Sequence, residues 1–251
     1  MVTAALFKSV IITGASSGIG KAMAEEFASR GYNLGLIARR GELLEEIQQD
    51  LTYKYQVKVE ISAMDLTQND EIYPALQDLK RRLDQVDIIV ANAGITGVNK
   101  TGAGDFSKDR RIIEVNLIAA MATVDAAARI FRQQKYGQVV GISSVSAFVG
   151  IPGSAAYSAS KAALSNYLQA VGVELKKHHI TVTAVHPGFV KTDIAPEMEK
   201  YPFVIEADRA AKEIVTGILK GRKNIIVPNM PWSIIKKVLP IVPDGLLENV
   251  F

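Results

Sequence analysis

Ser144, Tyr157 and Lys161 are the residues of this chain whose types and spacing suit a single reaction. Ser144 stands just past an apolar run, Gln138 to Ser143, and Tyr157 follows it by thirteen residues, beyond a turn that holds Gly150, Pro152 and Gly153. Tyr157 and Lys161 are four apart in an alanine-rich segment, a spacing that puts both on one face of a helix. An isolated phenol titrates at about 10, too high for a good base at neutral pH, and a nearby cation lowers that value by stabilising the phenolate. Catalytic groups work best when they titrate near the operating pH. The three side chains therefore suit carbonyl chemistry. Ser144 would hold a carbonyl or alkoxide oxygen, Tyr157 would transfer its proton, and Lys161 would bias the tyrosine and grip a ribose. A Tyr-x3-Lys pair alone recurs by chance, so its weight comes from its position after Ser144 and a strand.

A ribose implies a nucleotide, and the chain offers a place for one. Thr13-Gly14-Ala15-Ser16-Ser17-Gly18-Ile19-Gly20 lies between a β-branched run and a helical pattern. Glycines there let the backbone turn sharply and approach a pyrophosphate, while the helix start supplies unpaired N–H groups and a positive dipole end. The spacing is Gly-x3-Gly-x-Gly rather than G-x-G-x-x-G, and a plain glycine turn is the bland alternative. At the end of the second strand, where an acid would bind a ribose 2′-hydroxyl, the chain has Ala38-Arg39-Arg40. Guanidinium groups pair with a 2′-phosphate, often bidentately. NADP(H) is the implied cofactor. Arg39 is the favoured phosphate ligand; Arg40 is either a second ligand or the start of a solvated helix face.

The elements that must position these residues alternate. Apolar strands are expected over Val10–Thr13, Asn33–Ala38, Val57–Ala63, Val86–Ala91, Gln138–Ser143, Ile180–Val185 and Asn224–Val227. Helical spacing runs over 18–30, 43–51, 69–82, 108–134 and 154–177. Such alternation needs crossover helices on both faces of a parallel sheet. The expected fold is thus α/β, a single doubly wound Rossmann-type domain over 1–251 with a seven-stranded parallel sheet. No repeat or linker divides it. The helices around Ala119, Ala120, Ala122, Ala126, Ala127 and Ala128, and around Ala159, Ala162 and Ala163, are crowded with small residues. Close subunit packing, as a homodimer or homotetramer, and dense packing on the sheet are the two readings.

Composition narrows the function further. The chain has 251 residues, 48% hydrophobic and 22% charged, which is globular. A formal net charge of +3, with scattered basic residues, argues against a nucleic-acid partner. There is no cysteine, which removes disulfides and thiolate chemistry and fits a cytoplasmic protein. Lys8 interrupts the short apolar start, which reads as an uncleaved intracellular beginning. No run approaches the roughly 20 apolar residues of a spanning helix. His178, His179 and His186 share no metal-ligand spacing, so surface or strand-end roles are expected and no metal site is. Ser144 lacks the Gly-x-Ser-x-Gly context of a hydrolase nucleophile.

Taken together, the Thr13–Gly20 loop, Asp65, Asn92-Ala93-Gly94, Asn116, Ser144, Tyr157, Lys161, Pro187-Gly188 and Thr192 make the chain resemble a short-chain dehydrogenase/reductase from about residue 7 to 192. The resemblance implies an NADPH-dependent enzyme of the carbonyl reductase type, acting on a small-molecule carbonyl or alcohol. It implies that Asp65 and Leu66 flank the adenine, that Asn92 to Gly94 support the cofactor, and that Val190 and Thr192 meet the nicotinamide carboxamide. Asn116 would be a fourth catalytic residue, bending its helix and holding a water in a proton relay from Lys161. Ala91 stands where the family has an asparagine, a departure at a supporting position.

Beyond Asp193 the resemblance thins. Residues 193–206, with Pro196, Met198, Tyr201, Pro202 and Phe203, occupy the place of a substrate flap, and their apolar content suggests a hydrophobic substrate. Residues 229–251 read as a pocket lid, a subunit contact or a membrane-surface helix with snorkelling lysines. The alternative from another class is a non-catalytic NADP(H)-sensing regulatory protein on the same fold, which would need only the cofactor residues. A nucleotide-sugar epimerase or dehydratase fits poorly, because the glycine spacing differs and little chain remains for a sugar domain.

Overall fold

The structure, a computed structural model, describes residues 8–192, 201 and 203–238. Short β-branched runs that are buried on both faces become parallel strands. The first is β1 (Ser9–Thr13), every residue of which is buried. Helix α1 (Gly18–Ser29) leads to β2 (Asn33–Ala38), α2 (Gly41–Tyr55) to β3 (Val59–Ala63), and α3 (Asn69–Arg82) to β4 (Ile88–Ala91). Next come α4 (Phe106–Ile113), a wide π turn over Glu114–Ile118, α5 (Ala119–Gln134) and β5 (Gly137–Ile142). A 3₁₀ turn (Val145–Phe148) precedes α6 (Ala155–Leu175) and β6 (Ile180–Pro187). After it come β7 (Val190–Lys191), β8 (Ile205–Glu206), α7 (Ala207–Leu219), β9 (Asn224–Val227) and α8 (Asn229–Val238).

Seven strands form one parallel sheet in the order β3-β2-β1-β4-β5-β6-β9. The order reverses between β1 and β4, and in open α/β sheets the crevice at the carboxyl ends of the strands beside such a reversal is where ligands bind. Alternation along β1 sorts the core into two layers. Val10 and Ile12 face Met23 of α1, Leu44 of α2 and Ile214 of α7, while Ile11 faces Leu76 of α3, Phe131 of α5 and Leu164 of α6. The expected seven strands all appear, but β3 begins two residues later than expected and β6 runs on to Pro187.

Three features differ from the sequence reading. The pattern over 108–134 is not one helix, because the π turn around Asn116 breaks it. Helix α7, with Ile214 and Ile218 buried, supplies a crossover that the sequence reading passed over. The β7–β8 pair is a separate two-stranded ladder, Val190 against Ile205. The crowded alanines divide between the two readings. Ala119, Ala120, Ala126 and Ala127 are buried against the sheet, whereas Ala159, Ala162 and Ala163 lie on the exposed side of α6. Of the expected flap, residues 193–200 and Pro202 lie outside the described residues, as do 239–251 of the tail.

Candidate active site

A cavity of about 490 Å³ opens at the carboxyl ends of β1, β2, β4, β5 and β6. One end is made by the glycine loop. Gly14 and Gly18 take positive φ of 67° and 54°, backbone that side-chain-bearing residues rarely adopt. A Cβ on Gly14 would stand 2.7 Å from the Ala93 Cα, and one on Gly20 would collide with the Gly14 carbonyl. Asn92 holds the loop to β4, its Nδ2 donating to the carbonyls of Thr13 (2.9 Å) and Gly14 (3.2 Å). Ser17, the residue before α1, makes no side-chain cap, and no acidic residue occupies the first turn. The helix start is therefore left with N–H donors and a positive end, the conditions that suit a phosphate. The donor set and the close-packed glycines fit a dinucleotide pyrophosphate.

Beside the loop, Arg40 donates to Ser16 Oγ from Nη2 at 2.9 Å and from Nε at 3.2 Å, and to Ser17 Oγ at 2.7 Å. Arg39 also lines the cavity. The sequence favoured Arg39, but it is Arg40 that is drawn onto the loop. Asp65 and Leu66 continue this wall. The Asp65 carboxyl lies below its ordinary range because the Thr67 backbone N–H, the Thr67 hydroxyl and Arg111 all favour the ionised form, against the opposing cost of burial.

The other end of the cavity holds the reactive side chains. Lys161, 4% exposed, donates from Nζ to the Ile142 carbonyl at 2.9 Å and sits beside Gly94, where an added Cβ would stand 3.5 Å from Nζ. Burial pulls its ammonium down to about 8. Tyr157 is pushed above its ordinary value, because burial disfavours the phenolate by more than the hydrogen bond from Ser144 favours it. This corrects the expectation that Lys161 lowers the tyrosine. Nζ is 5.8 Å from the phenol ring centroid, and the direction of the shift is set by desolvation, which raises a buried phenol. Ser144 carries one hydroxyl proton with several acceptors in reach: Ser146 Oγ at 3.1 Å, the Pro187 carbonyl at 3.5 Å and the Tyr157 oxygen. Such a proton can be redirected to an entering oxygen at little cost.

Asn116 is fully buried, and its carboxamide grips the Ile95 backbone from both sides. Oδ1 accepts from the N–H at 2.8 Å, and Nδ2 donates to the carbonyl at 2.9 Å. It fixes the loop after β4 but does not line the cavity, and neither does Gly18; every other residue expected from the sequence to be catalytic or to bind the cofactor does. Pro187, Gly188, Val190 and Thr192 form the floor. His186 is at a strand end as expected but not on the surface. It is 4% exposed, stacked on Phe148 with centroids 4.9 Å apart and within 3.2 Å of Ser165 Oγ. Burial and the Lys236 charge pull its imidazole down to about 4, against a smaller upward pull from the Ile225 backbone.

Phe189 and Arg111 are among the lining residues that the sequence reading did not name. Phe189 lines the cavity, stacked on Tyr201 at 4.5 Å and edge-on to Trp232 at 5.4 Å. Trp232 in turn is seated against Gly188, which fixes the first turns of α8 beneath the site. Arg111 lines the opposite end. Neither belongs to a spaced motif; the only signal was that Phe189 directly follows Pro187-Gly188.

Comparisons with known proteins agree with this layout. The family model described as short chain dehydrogenase matches residues 8–201. An uncharacterised oxidoreductase of Mycobacterium tuberculosis is 30% identical over 251 residues, covering 99% of each chain. Among solved structures, a short-chain dehydrogenase from Sphingobium yanoikuyae in complex with NADPH superposes with a TM-score of 0.83 at 29% identity, covering 98% of this chain and 97% of that one. A short chain dehydrogenase/reductase from Burkholderia phymatum in complex with NAD reaches a TM-score of 0.84 at 21% identity, covering 92% of each chain, a likeness of fold.

Proposed function

Because the chain belongs to the short-chain dehydrogenase/reductase family, we propose that it is an NADP(H)-dependent oxidoreductase of the carbonyl reductase type, working on a hydrophobic small molecule. The observation that carries the reading is the meeting of Ser144, Tyr157 and Lys161 in one cavity with the glycine loop. A cofactor sensor would need only the loop; here the opposite end is equally furnished with groups that can hold an oxygen and move a proton.

A nicotinamide held between the glycine loop and Lys161 would supply or take up the hydride. Ser144 redirects its hydroxyl proton to the substrate oxygen and so orients the carbonyl. Tyr157, a phenol whose burial further disfavours its ionised form, donates its proton to that oxygen as negative charge develops. Lys161, still mostly charged below about 8, stabilises the phenolate left behind. Asn116 holds Ile95 and the loop beside Lys161, and the family resemblance assigns it the water through which the proton is replaced. A phenol held above its ordinary value stays in the protonated form that reduction needs, whereas alcohol oxidation needs the phenolate and should gain as pH rises.

Arg40, supported by Arg39 and by the Ser16 and Ser17 hydroxyls, would take the 2′-phosphate. The aromatic wall of Phe189 and Tyr201 supports a hydrophobic substrate. The seating of Trp232 on Gly188, which lines the cavity, supports the pocket-lid reading of the tail over the membrane-surface one. The exposed small residues of α6 support a homo-oligomer, and the cysteine-free composition supports a cytoplasmic location.

The test is oxidation of NADPH, compared with NADH, against a panel of ketones. Tyr157→Phe should lower turnover by about 10³-fold while NADPH still binds. Near-normal turnover in that variant would overturn the mechanism, and binding without turnover in the parent protein would overturn the enzyme assignment.

A further inference from the structure

A side chain outside every spaced motif stands at the adenine end of the cleft. Arg111, on α4, reaches the carboxylate of Asp65, with Nη2 donating to Oδ2 at 3.2 Å and Nη1 donating to Thr67 Oγ1 at 3.3 Å. The other carboxylate oxygen, Oδ1, accepts from the Thr67 N–H at 3.0 Å and from its hydroxyl at 2.9 Å. Each carboxylate oxygen has two acceptor sites. Oδ1 is thus filled from within, and Oδ2 keeps one site after Arg111 takes the other. Glu114, at the start of the π turn that follows α4, lies 3.8 Å from Nη1 and pairs with the guanidinium. The carboxylate is thus held through both of its oxygens, and both Asp65 and Arg111 line the cavity.

We propose that Arg111 is a cofactor-positioning residue. It locks Asp65 so that the remaining Oδ2 acceptor site is presented to the exocyclic amine of an adenine, which makes the cleft selective for a 6-aminopurine dinucleotide. The inference rests on the NADP(H) reading above. A purine carrying a 6-oxo group in place of the amine would bring an acceptor against this acceptor and lose the bond. The Arg111 and Asp65 side chains are 37% and 33% exposed. An ion pair so open to water contributes little to folding, so its removal should report on the ligand and not on the fold.

The experiment titrates the parent protein, Arg111→Gln and Arg111→Lys with NADPH and with its reduced hypoxanthine analogue, following nicotinamide fluorescence. The parent should bind NADPH about tenfold more tightly than the 6-oxo analogue, a difference on the scale of one charge-assisted hydrogen bond. Arg111→Gln should weaken NADPH by about tenfold and leave the analogue unchanged, so that the preference disappears, and Arg111→Lys should restore part of it. Equal weakening of both dinucleotides would mean general support of the helix and would overturn the proposal. So would unchanged NADPH affinity in Arg111→Gln, or a parent protein that binds both dinucleotides equally; in that last case the cofactor reading would survive. A parent protein that binds neither would remove the cofactor reading and this one with it.

Discussion

The two ends of the cleft are built from different materials. At the glycine loop the wall is main chain: Gly14, Gly20 and Ala93 pack so closely that a single added methyl has no room, and Asn92 ties the carbonyls together. At the other end the wall is side chain: Phe189 and Tyr201 line it face to face, and Trp232 backs Phe189 edge-on. A main-chain wall accepts one residue type at each position. A side-chain wall can be recut by exchanging one ring for another, with the backbone unchanged. The first end therefore suits a ligand shared by many enzymes, and the second suits a ligand particular to one.

The main-chain end should break at the first methyl. Gly14→Ala adds a Cβ at positive φ, costing about 1–2 kcal/mol, and drives it against the Ala93 Cα. NADPH affinity should fall by at least about 100-fold, measured by fluorescence titration. The control is Gly31→Ala, where φ is 78° but nothing lies within 4 Å of the new Cβ. That variant carries the same backbone strain without the clash, so it should lose about 1 kcal/mol of stability and keep its cofactor affinity. Equal cofactor affinity in the two variants would show that the loop yields, and the contrast between the two ends would go with it.

One part of the cofactor end is side chain, and there the comparison is sharpened. Arg40 is bonded to Ser16 and Ser17, whereas Arg39 only borders the cavity. Arg40→Ala should reduce the preference for NADPH over NADH by about 30-fold, the scale of a charge-assisted hydrogen bond with its ion pairing, and Arg39→Ala should reduce it by less. The ratio of kcat/KM values for the two cofactors measures this. The reverse ranking would return the phosphate to Arg39, as the sequence alone suggested.

The same division decides how much could be read without the structure. Gly14, Gly18, Gly20, Asn92 and Gly94 are legible because backbone turns and close approaches admit few residue types, so their spacing is a signal. Strands buried on both faces, such as Val10–Thr13, are legible by their unbroken apolar run. Asn116 was legible only through family resemblance, since a buried asparagine gripping Ile95 looks, in sequence, like any polar residue in a helix. Arg111 and Phe189 were not legible, because their roles come from chain segments distant in sequence: Asp65 for one, Tyr201 and Trp232 for the other. Tyr157 was legible in place but not in the direction of its shift, since the burial that raises it is not written in a Tyr-x3-Lys pair.

The side-chain end should yield least and most selectively. Phe189 borders the cavity, and its carbonyl accepts the Ile205 N–H at 3.1 Å through backbone that a substitution leaves in place. Phe189→Ala therefore removes a ring without moving the floor of the site. A ketone large enough to rest on that ring loses apolar contact worth about 1.5 kcal/mol, or roughly tenfold in kcat/KM. A ketone of three or four carbons bound at Ser144 and Tyr157 should lose almost nothing, and NADPH affinity should not change. The measurement is kcat/KM for a large aryl ketone and a small aliphatic one at saturating NADPH, in parent and variant. If both ketones lose the same factor, Phe189 shapes the floor and not the pocket, and the aromatic wall is a packing feature without a part in substrate choice.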